Sequence, residues 1–344
     1  MIPNIVGWDI GGVNTKAARL GADSGGSECQ TICLPYELQH EPSALAAVLR
    51  SAARQIGEAA GDRHAITMTA ELSQAFRTKR EGIAFVLDAL ESVFTPDRLH
   101  VYTVTGKFVT PRQARTQPLE VAASNWSATA HWLARLVPTG ILIDIGSTTT
   151  DLIPIVHGRA AAHGRTDPER LLSGELVYTG ALRTPVEAVS RQVPLWGGTA
   201  GVAAEGFALI GDVHLWLERI TMDDYTCPTP DGRPATRAFA RERLARVVCA
   251  DGEMLDDAAI DDIAKAFARA QLETIVAALT KMRRDFPEIE TAVVTGAGHF
   301  IAADAAREAG LKVMVLADRL GRAAALTAAA AAVAWLLRDK LPAD

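Results

Sequence analysis

The sequence predicts an α/β protein of two domains, each built on a mixed sheet that opens with a β-hairpin. Three observations predict it. The stretch "GWDIGGVNTKAARL" near the amino terminus is matched later by "ILIDIGSTTTDLIPI". Each is a run of β-formers ending in Asp-Ile-Gly, then small polar residues, then a second apolar run. Antiparallel strands come first and strand–helix units follow, which is a mixed β/α order. The chain has 344 residues, 49% hydrophobic and 22% charged, enough for two domains with sizeable cores.

The elements follow in order. Ile5 to Ile10 is a strand and Thr15 to Leu20 its hairpin partner, with the turn at Gly11-Gly12-Val13-Asn14. Thr31 to Leu34 adds a third strand. "SALAAVLRSAARQIGEAA" is a helix with Ser43 as its N-cap. "HAITMTA" is a strand, Glu81 to Phe94 a helix, "HVYTVT" a strand, and Pro118 to Leu136 a helix ended by Pro138. The second half repeats the logic. Gly140 to Ile145 and Asp151 to Val156 form a hairpin, and frequent Gly and Pro from His157 to Gly201 read as loops and short elements. Helices follow at about Ala238 to Ala250 and Asp256 to Arg284. "TAVVTGAG" is a strand entering a glycine turn, His299 to Ala309 a helix, "KVMVL" a strand, and Arg319 to Leu337 the closing helix. The expected boundary is near Val137, giving domains 1–137 and 138–344. The second domain carries an inserted loop and helical region at about 157–290 and a glycine-turn motif at 295–299.

Composition excludes several classes. The net charge is −6 with no long basic run, which argues against nucleic acid as a partner. The cysteines are Cys29, Cys33, Cys227 and Cys249, with no Cys-x-x-Cys pair. That argues against a zinc knuckle or a disulfide framework and fits a reduced cytoplasm. "MIPNIVGWDI" lacks the basic start, long apolar core and cleavage site of a secretory signal. "AAALTAAAAAVAWLL" is shorter than the roughly 20 residues that span a bilayer, so no membrane is expected and this stretch reads as a buried helix.

The repeated hairpin suggests a chemistry. Each copy presents one aspartate, Asp9 or Asp144, at the end of its first strand. The glycines that follow, Gly11, Gly12 and Gly146, let backbone N–H groups approach a phosphate. Asn14, Thr15, Ser147, Thr148 and Thr149 add further donors. A carboxylate repels phosphate but can hold a magnesium ion that binds it, usually through water. Asp9, Asp144 and Asp151 are therefore the candidate Mg2+ ligands, and Lys16 a candidate phosphate contact. Two such hairpins facing one another would form a jaw around a polyphosphate. "AVVTGAGHF" adds a third glycine turn, Gly296 and Gly298, at a helix N-terminus suited to an anion or nucleotide. Ile301 stands where a dinucleotide fingerprint needs its third glycine.

These stretches resemble the sugar kinase, Hsp70 and actin superfamily: "DIGGVNTK" its first phosphate motif, "DIGSTTTD" its second and "VVTGAGHF" its adenosine motif. The resemblance implies a two-domain, ribonuclease H-like fold with an interdomain cleft. More narrowly, the chain resembles the hydantoinase/oxoprolinase-like branch, and within it a small family linked to tetrahydromethanopterin-dependent one-carbon transfer. The stretches that carry this are "GWDIGGVNTKAA", "TMTAELSQAF", "ILIDIGSTTTDLIPI", "GELVYTGALRTPVEAV" and "DDYTCPTPDGRPATRAFARERLARVVCAD". The resemblance implies a transferase of methanofuran or methylofuran synthesis. Such an enzyme joins an aminomethyl-furan-methyl diphosphate to the phenol oxygen of a glutamyl-tyramine, or of tyrosine, and releases diphosphate. Its substrates would be small molecules; ATP is admissible but not required.

Further candidates sit in these stretches. Glu71 follows a strand end, where catalytic carboxylates often lie, or else caps the next helix. Asp223, Asp224, Cys227, Asp231 and Arg233 share one loop, either a substrate surface or a rigid proline-rich connection. Arg183 can bind diphosphate or a carboxylate, and His299 opens a helix beside the third glycine turn. His64 and His131 read as structural. An ATP-dependent kinase or ligase and a non-catalytic nucleotide sensor are the competing functions. A homodimer is one admissible assembly.

Overall fold

The structure is a computed structural model that describes residues 3–22 and 29–341. Its contacts divide the chain into two units. The first is Met1–Leu142, Ile153–Ser173 and Val315–Asp344; the second is Ile143–Leu152 and Gly174–Met314.

The first unit is built on a six-stranded sheet of β1 (Ile5–Ile10), β2 (Asn14–Leu20), β3 (Cys29–Pro35), β4 (Arg63–Met68), β5 (Leu99–Tyr102) and β6 (Phe108–Val109), ordered β3-β2-β1-β4-β5-β6. β1, β2 and β3 pair antiparallel, while β1, β4 and β5 run parallel. Every residue of β1 is buried, because both sheet faces are covered. On one face Val6, Trp8 and Ile10 share a core with Leu45 and Leu49 of α1 (Leu45–Gln55) and with Ile83, Val86 and Leu90 of α2 (Lys79–Glu91). His64 lies within this core. Trp8 donates its indole N–H to His64 Nδ1 at 3.2 Å, and burial lowers the imidazole pKa to about 4, so it is a neutral structural histidine, as its sequence context suggested.

The region expected as one helix from Pro118 to Leu136 is two, α4 (Pro118–Val121) and α5 (Asn125–Leu133), preceded by a separate helix α3 (Pro111–Thr116). The break is backbone geometry: Ala122 is extended and Ala123 is left-handed at φ 47°. Ser43 is not an N-cap; it lies inside a short 3-10 turn begun by Pro42, and no side chain caps α1.

β7 (Gly140–Ile145) and β8 (Thr150–Val156) open the second sheet, and β9 (Arg159–Ala160) pairs with β8. α6 (Asp167–Ser173) closes the first unit's middle segment. β10 (Leu176–Val177), α7 (Val186–Val189), the hairpin β11 (Gln192–Leu195) and β12 (Gly198–Gly201), α8 (Ile210–Trp216), α9 (Arg237–Arg246) and α10 (Asp257–Asp285) follow. Then come β13 (Thr291–Thr295), α11 (His299–Glu308) and β14 (Lys312–Val315). The second sheet has the order β10-β8-β7-β13-β14. Ranked along the chain, that is third, second, first, fourth, fifth, the same path as β3 to β5 of the first sheet. This repeated order is the ribonuclease H-like arrangement of the actin, Hsp70 and sugar-kinase fold. Ile210, Val213, Leu244, Ile260, Ile263 and Phe267 form a core of their own between α8, α9 and α10.

The closing helix is three pieces, α12 (Ala317–Leu320), α13 (Arg322–Leu326) and α14 (Ala328–Arg338). The sequence reading assigned this segment to the second domain. It packs instead on the first sheet: a β-carbon on Gly7 of β1 would lie 1.9 Å from the Ala330 carbonyl. The alanine-rich run is thus a buried helix, small enough in side chain to lie directly on a strand.

Candidate active site

The two repeated turns have the same local geometry. Gly11 donates its N–H to the Asn14 carbonyl at 2.9 Å, and Gly146 donates to the Thr149 carbonyl at 2.9 Å. Each turn follows a strand that ends in the aspartate motif.

In the first unit Asp9 stands opposite Lys16 in the β1–β2 ladder, and Lys16 stands opposite Cys33 in the β2–β3 ladder. The Lys16 Nζ is 3.9 Å from Asp9 Oδ2. Asp9, Lys16 and Cys33 therefore share one sheet face. Asp9 is buried, Lys16 is partly exposed and Cys33 is exposed. Space above Gly12 is open, since a β-carbon there meets nothing within 4 Å. Thr15 differs from the expectation: it is fully buried and its hydroxyl makes no hydrogen bond, because alternation along β2 turns it to the face opposite Lys16.

Glu71 follows β4 in a short 3-10 turn, Ala70–Leu72. Of its two sequence readings, the helix cap is overturned. Thr78 caps α2 by accepting the Glu81 N–H, while both Glu71 carboxyl oxygens lack a hydrogen bond of normal geometry. Glu71 is 2% exposed. Burial raises its pKa to about 7, opposed by the Lys79 ammonium 3.8 Å away and by the backbone N–H groups of Glu71 and Ala123. Lys79 is itself bound to Asp167 at 2.6 Å. Sequence reading missed Lys79 and Asp167; only their approach to Glu71 singles them out.

In the second unit the "YTGALRT" loop is bound to the second turn. Ala181 N–H donates to the Gly146 carbonyl at 2.9 Å, and the Leu182 and Arg183 N–H groups donate to the Ser147 carbonyl at 3.1 and 2.8 Å. A β-carbon on Gly180 would lie 2.5 Å from the Thr148 nitrogen, so this contact needs glycine. The third glycine turn joins the same place. Gly298 N–H donates to the Ile145 carbonyl at 2.8 Å, and His299 begins α11 directly after it. Asp144, Ser147, Thr148, Thr149, Arg183, Gly296, Gly298 and His299 are thus gathered by one turn cluster. Asp151 is buried in β8, paired on its other side with Leu176 of β10.

The loop residues expected at a substrate have other bonds here. Asp231 accepts from Arg233 and Arg243, and Arg233 also pairs with Glu242. Asp224 accepts from the Thr221 N–H and hydroxyl, capping its own turn. Arg243 binds Asp212 at 2.7 Å with both side chains fully buried. Tyr225 donates to Asp212 at 3.3 Å. Asp223 is exposed and Cys227 half-buried. The network ties the 223–233 loop to the buried Asp212–Arg243 pair. Sequence reading missed its anchors, Asp212 and Arg243.

Among the described residues no cluster of three or more His, Cys, Asp or Glu side chains forms a metal cage. Magnesium fits such a chain in a different way. It keeps most of its waters and takes one or two carboxylates plus phosphate oxygens, and a single aspartate beside an open glycine turn is a donor set of that kind.

The hydantoinase/oxoprolinase family profile matches residues 62–337. The chain belongs to the hydantoinase/oxoprolinase family. It is 34% identical over 345 residues to the (4-{4-[2-(gamma-L-glutamylamino)ethyl]phenoxymethyl}furan-2-yl)methanamine synthase of Methanocaldococcus jannaschii, covering 98% of each chain. It is 35% identical over 205 residues to the synthase of the same name from Methanococcus vannielii, covering 58% of this chain and 91% of that one. Among solved structures, a nucleotide-free acetone carboxylase superposes with a TM-score of 0.57 at 12% identity, over 96% of this chain and 70% of that one. That likeness concerns the fold. Among the described residues no helix is long and apolar enough to cross a membrane.

Proposed function

We propose that this family member is an enzyme of methanofuran-type cofactor synthesis. It condenses an aminomethyl-furan-methyl diphosphate with the phenol of a glutamyl-tyramine or tyrosine and releases diphosphate. The observation that carries the reading is the 34% identity, end to end, with a synthase whose named product contains a phenoxymethyl-furan ether. The two aspartate–glycine turns support it, since a diphosphate leaving group needs an anion site.

The residues divide the work. Asp9 and Asp144 are each suited to hold a magnesium ion, which would neutralise charge on a departing diphosphate. The N–H groups of the glycine turns and the hydroxyls of Ser147, Thr148 and Thr149 bind its oxygens. Lys16 adds a cation on the Asp9 face. The furan ring spreads positive charge from its methylene carbon, so the protein must align the phenol oxygen and exclude water. Arg183 is suited to a carboxylate of the phenolic substrate.

The test is direct. Purified protein with magnesium should release diphosphate only when both substrates are present, and mass spectrometry should show a product joined through the phenol oxygen. ADP or AMP accumulating in step with product overturns the reading in favour of a kinase or ligase.

A further inference from the structure

We propose that Glu71 is the base that takes the phenol proton in this condensation, held for that task by a closed ring of contacts in the first unit. The inference rests on the synthase reading above and assigns a step which that reading leaves open.

The ring can be traced atom by atom. Glu71 Oε1 is 3.8 Å from Lys79 Nζ at the start of α2. Lys79 binds Asp167 at the start of α6 at 2.6 Å. One turn along α6, the Arg170 guanidinium lies 4.4 Å above the Trp126 ring of α5. Just before α5, the Ala123 N–H faces the Glu71 carboxyl and closes the circle. Ala123 holds this place at φ 47°, a left-handed conformation costly for a residue with a β-carbon.

The ring is anchored beside the first glycine turn. Thr69, two residues before Glu71, donates its N–H to the Ile10 carbonyl at 2.9 Å, and Thr67 bonds Ser124 between hydroxyls at 2.9 Å. Glu71 thus leaves the sheet at the end that carries Asp9.

Its polar groups are left ready for a partner. Neither oxygen of Glu71 has a hydrogen bond of normal geometry, the Ala123 N–H being its facing donor, and the buried Trp126 indole N–H has no acceptor. Buried groups in this state destabilise a fold unless they serve another purpose. A helix cap is excluded by Thr78, and Lys79 gives its short bond to Asp167 rather than to Glu71. Lys79 and Asp167 are the partly exposed members of the ring, at 22% and 16%, so the phenol would approach Glu71 from their side.

The charged groups facing Glu71 are Lys79 from α2 and Asp167 from α6. Their opposed effects and the burial place the carboxyl near neutrality, where a general base works best. In the step itself, the phenol oxygen forms a bond to the furan methylene carbon. The bond from that carbon to diphosphate breaks, its electron pair leaves with the diphosphate, and the phenol proton moves to the Glu71 carboxylate.

The test uses the full-length protein with both substrates and magnesium across about pH 5 to 9, together with carbon-13 NMR of the glutamate carboxyls in the free protein. Wild-type kcat should rise with a midpoint near 7. Glu71→Gln should lose about a hundredfold or more in kcat with KM changed less than about threefold. Asp167→Asn should move the midpoint down and Lys79→Gln up, and the NMR titration of Glu71 should move the same way without turnover. An active wild type with Glu71→Gln above about a tenth of its kcat overturns the assignment alone, as does a Glu71 that titrates in the ordinary carboxylate range. A wild type that forms no ether overturns the synthase reading and the assignment with it.

Discussion

Gly296 and the Asp144 carboxylate are so close that a β-carbon at position 296 would lie 2.4 Å from Oδ1. Gly296 is also left-handed, at φ 87°. The third glycine turn therefore sets where Asp144 points. Gly296→Ala should strain the backbone by about 1–3 kcal/mol and displace Asp144. The expected result is a lower melting temperature together with a weaker magnesium dependence of activity. An alanine variant with unchanged magnesium response would show that the turn does not position Asp144.

Asp9→Asn and Asp144→Asn each remove one negative charge at nearly constant volume. Both variants should fold, by circular dichroism, and lose magnesium-dependent activity. An aspartate whose variant keeps more than about a tenth of the rate, a loss under roughly 1.4 kcal/mol, has no essential role.

The Glu71 carboxyl ties stability to pH. Its pKa rises from 4.5 in the unfolded chain to about 7 in the folded protein. The folded state therefore binds the extra proton between these values, and stability falls as pH rises from 4.5 through 7. Glu71→Gln removes the ionisation. Relative to wild type, it should gain up to about 3 kcal/mol at pH 8 compared with pH 4. Denaturant unfolding at the two pH values checks this, and equal differences would refute it. The variant would then be stabilised and inactive at once, as expected when a functional group is held at a cost in stability.

The Asp212–Arg243 pair is fully buried. Asp212→Ala leaves a buried guanidinium with a lost partner and should cost about 3–5 kcal/mol. Replacing both residues by apolar ones of similar size should cost less. Chemical denaturation of the single and double variants measures the difference, and a double variant as unstable as the single one would contradict it.

Cys33 lies across Lys16 from Asp9, exposed on the edge strand β3. A maleimide placed there should inhibit the enzyme by tenfold or more (about 1.4 kcal/mol), and magnesium diphosphate should slow the labelling. Cys33→Ser should resist the inhibition even though the other three cysteines are also outside any disulfide. Equal inhibition of both proteins would place the sensitive thiol elsewhere.

Much of the fold was legible because its signals are local. Both aspartate–glycine hairpins, the long α10 with its Asp256 cap and the strand before the third glycine turn stand where alternation, capping residues and glycine placed them. The breaks in two expected helices were not legible, because one depends on the strained Ala123 and the other on Gly321 and Thr327 within an otherwise helical run. Candidate residues behaved likewise. The turn residues could be named from their motif, but the alternation that buries Thr15 and the ion pairs that occupy Asp231 and Arg233 could not.

By itself the sequence determined the repeated turns, the types of most elements and the family, since each is written in residues close together along the chain. The tertiary structure decided that the alanine-rich last helix lies on the first sheet against Gly7, that Gly296 meets Asp144, and that Lys79, Asp167, Arg170 and Trp126 surround Glu71. The partners in each of these contacts come from separate segments of the chain. No local pattern encodes such a contact; it exists only once burial of apolar faces has fixed how the segments pack.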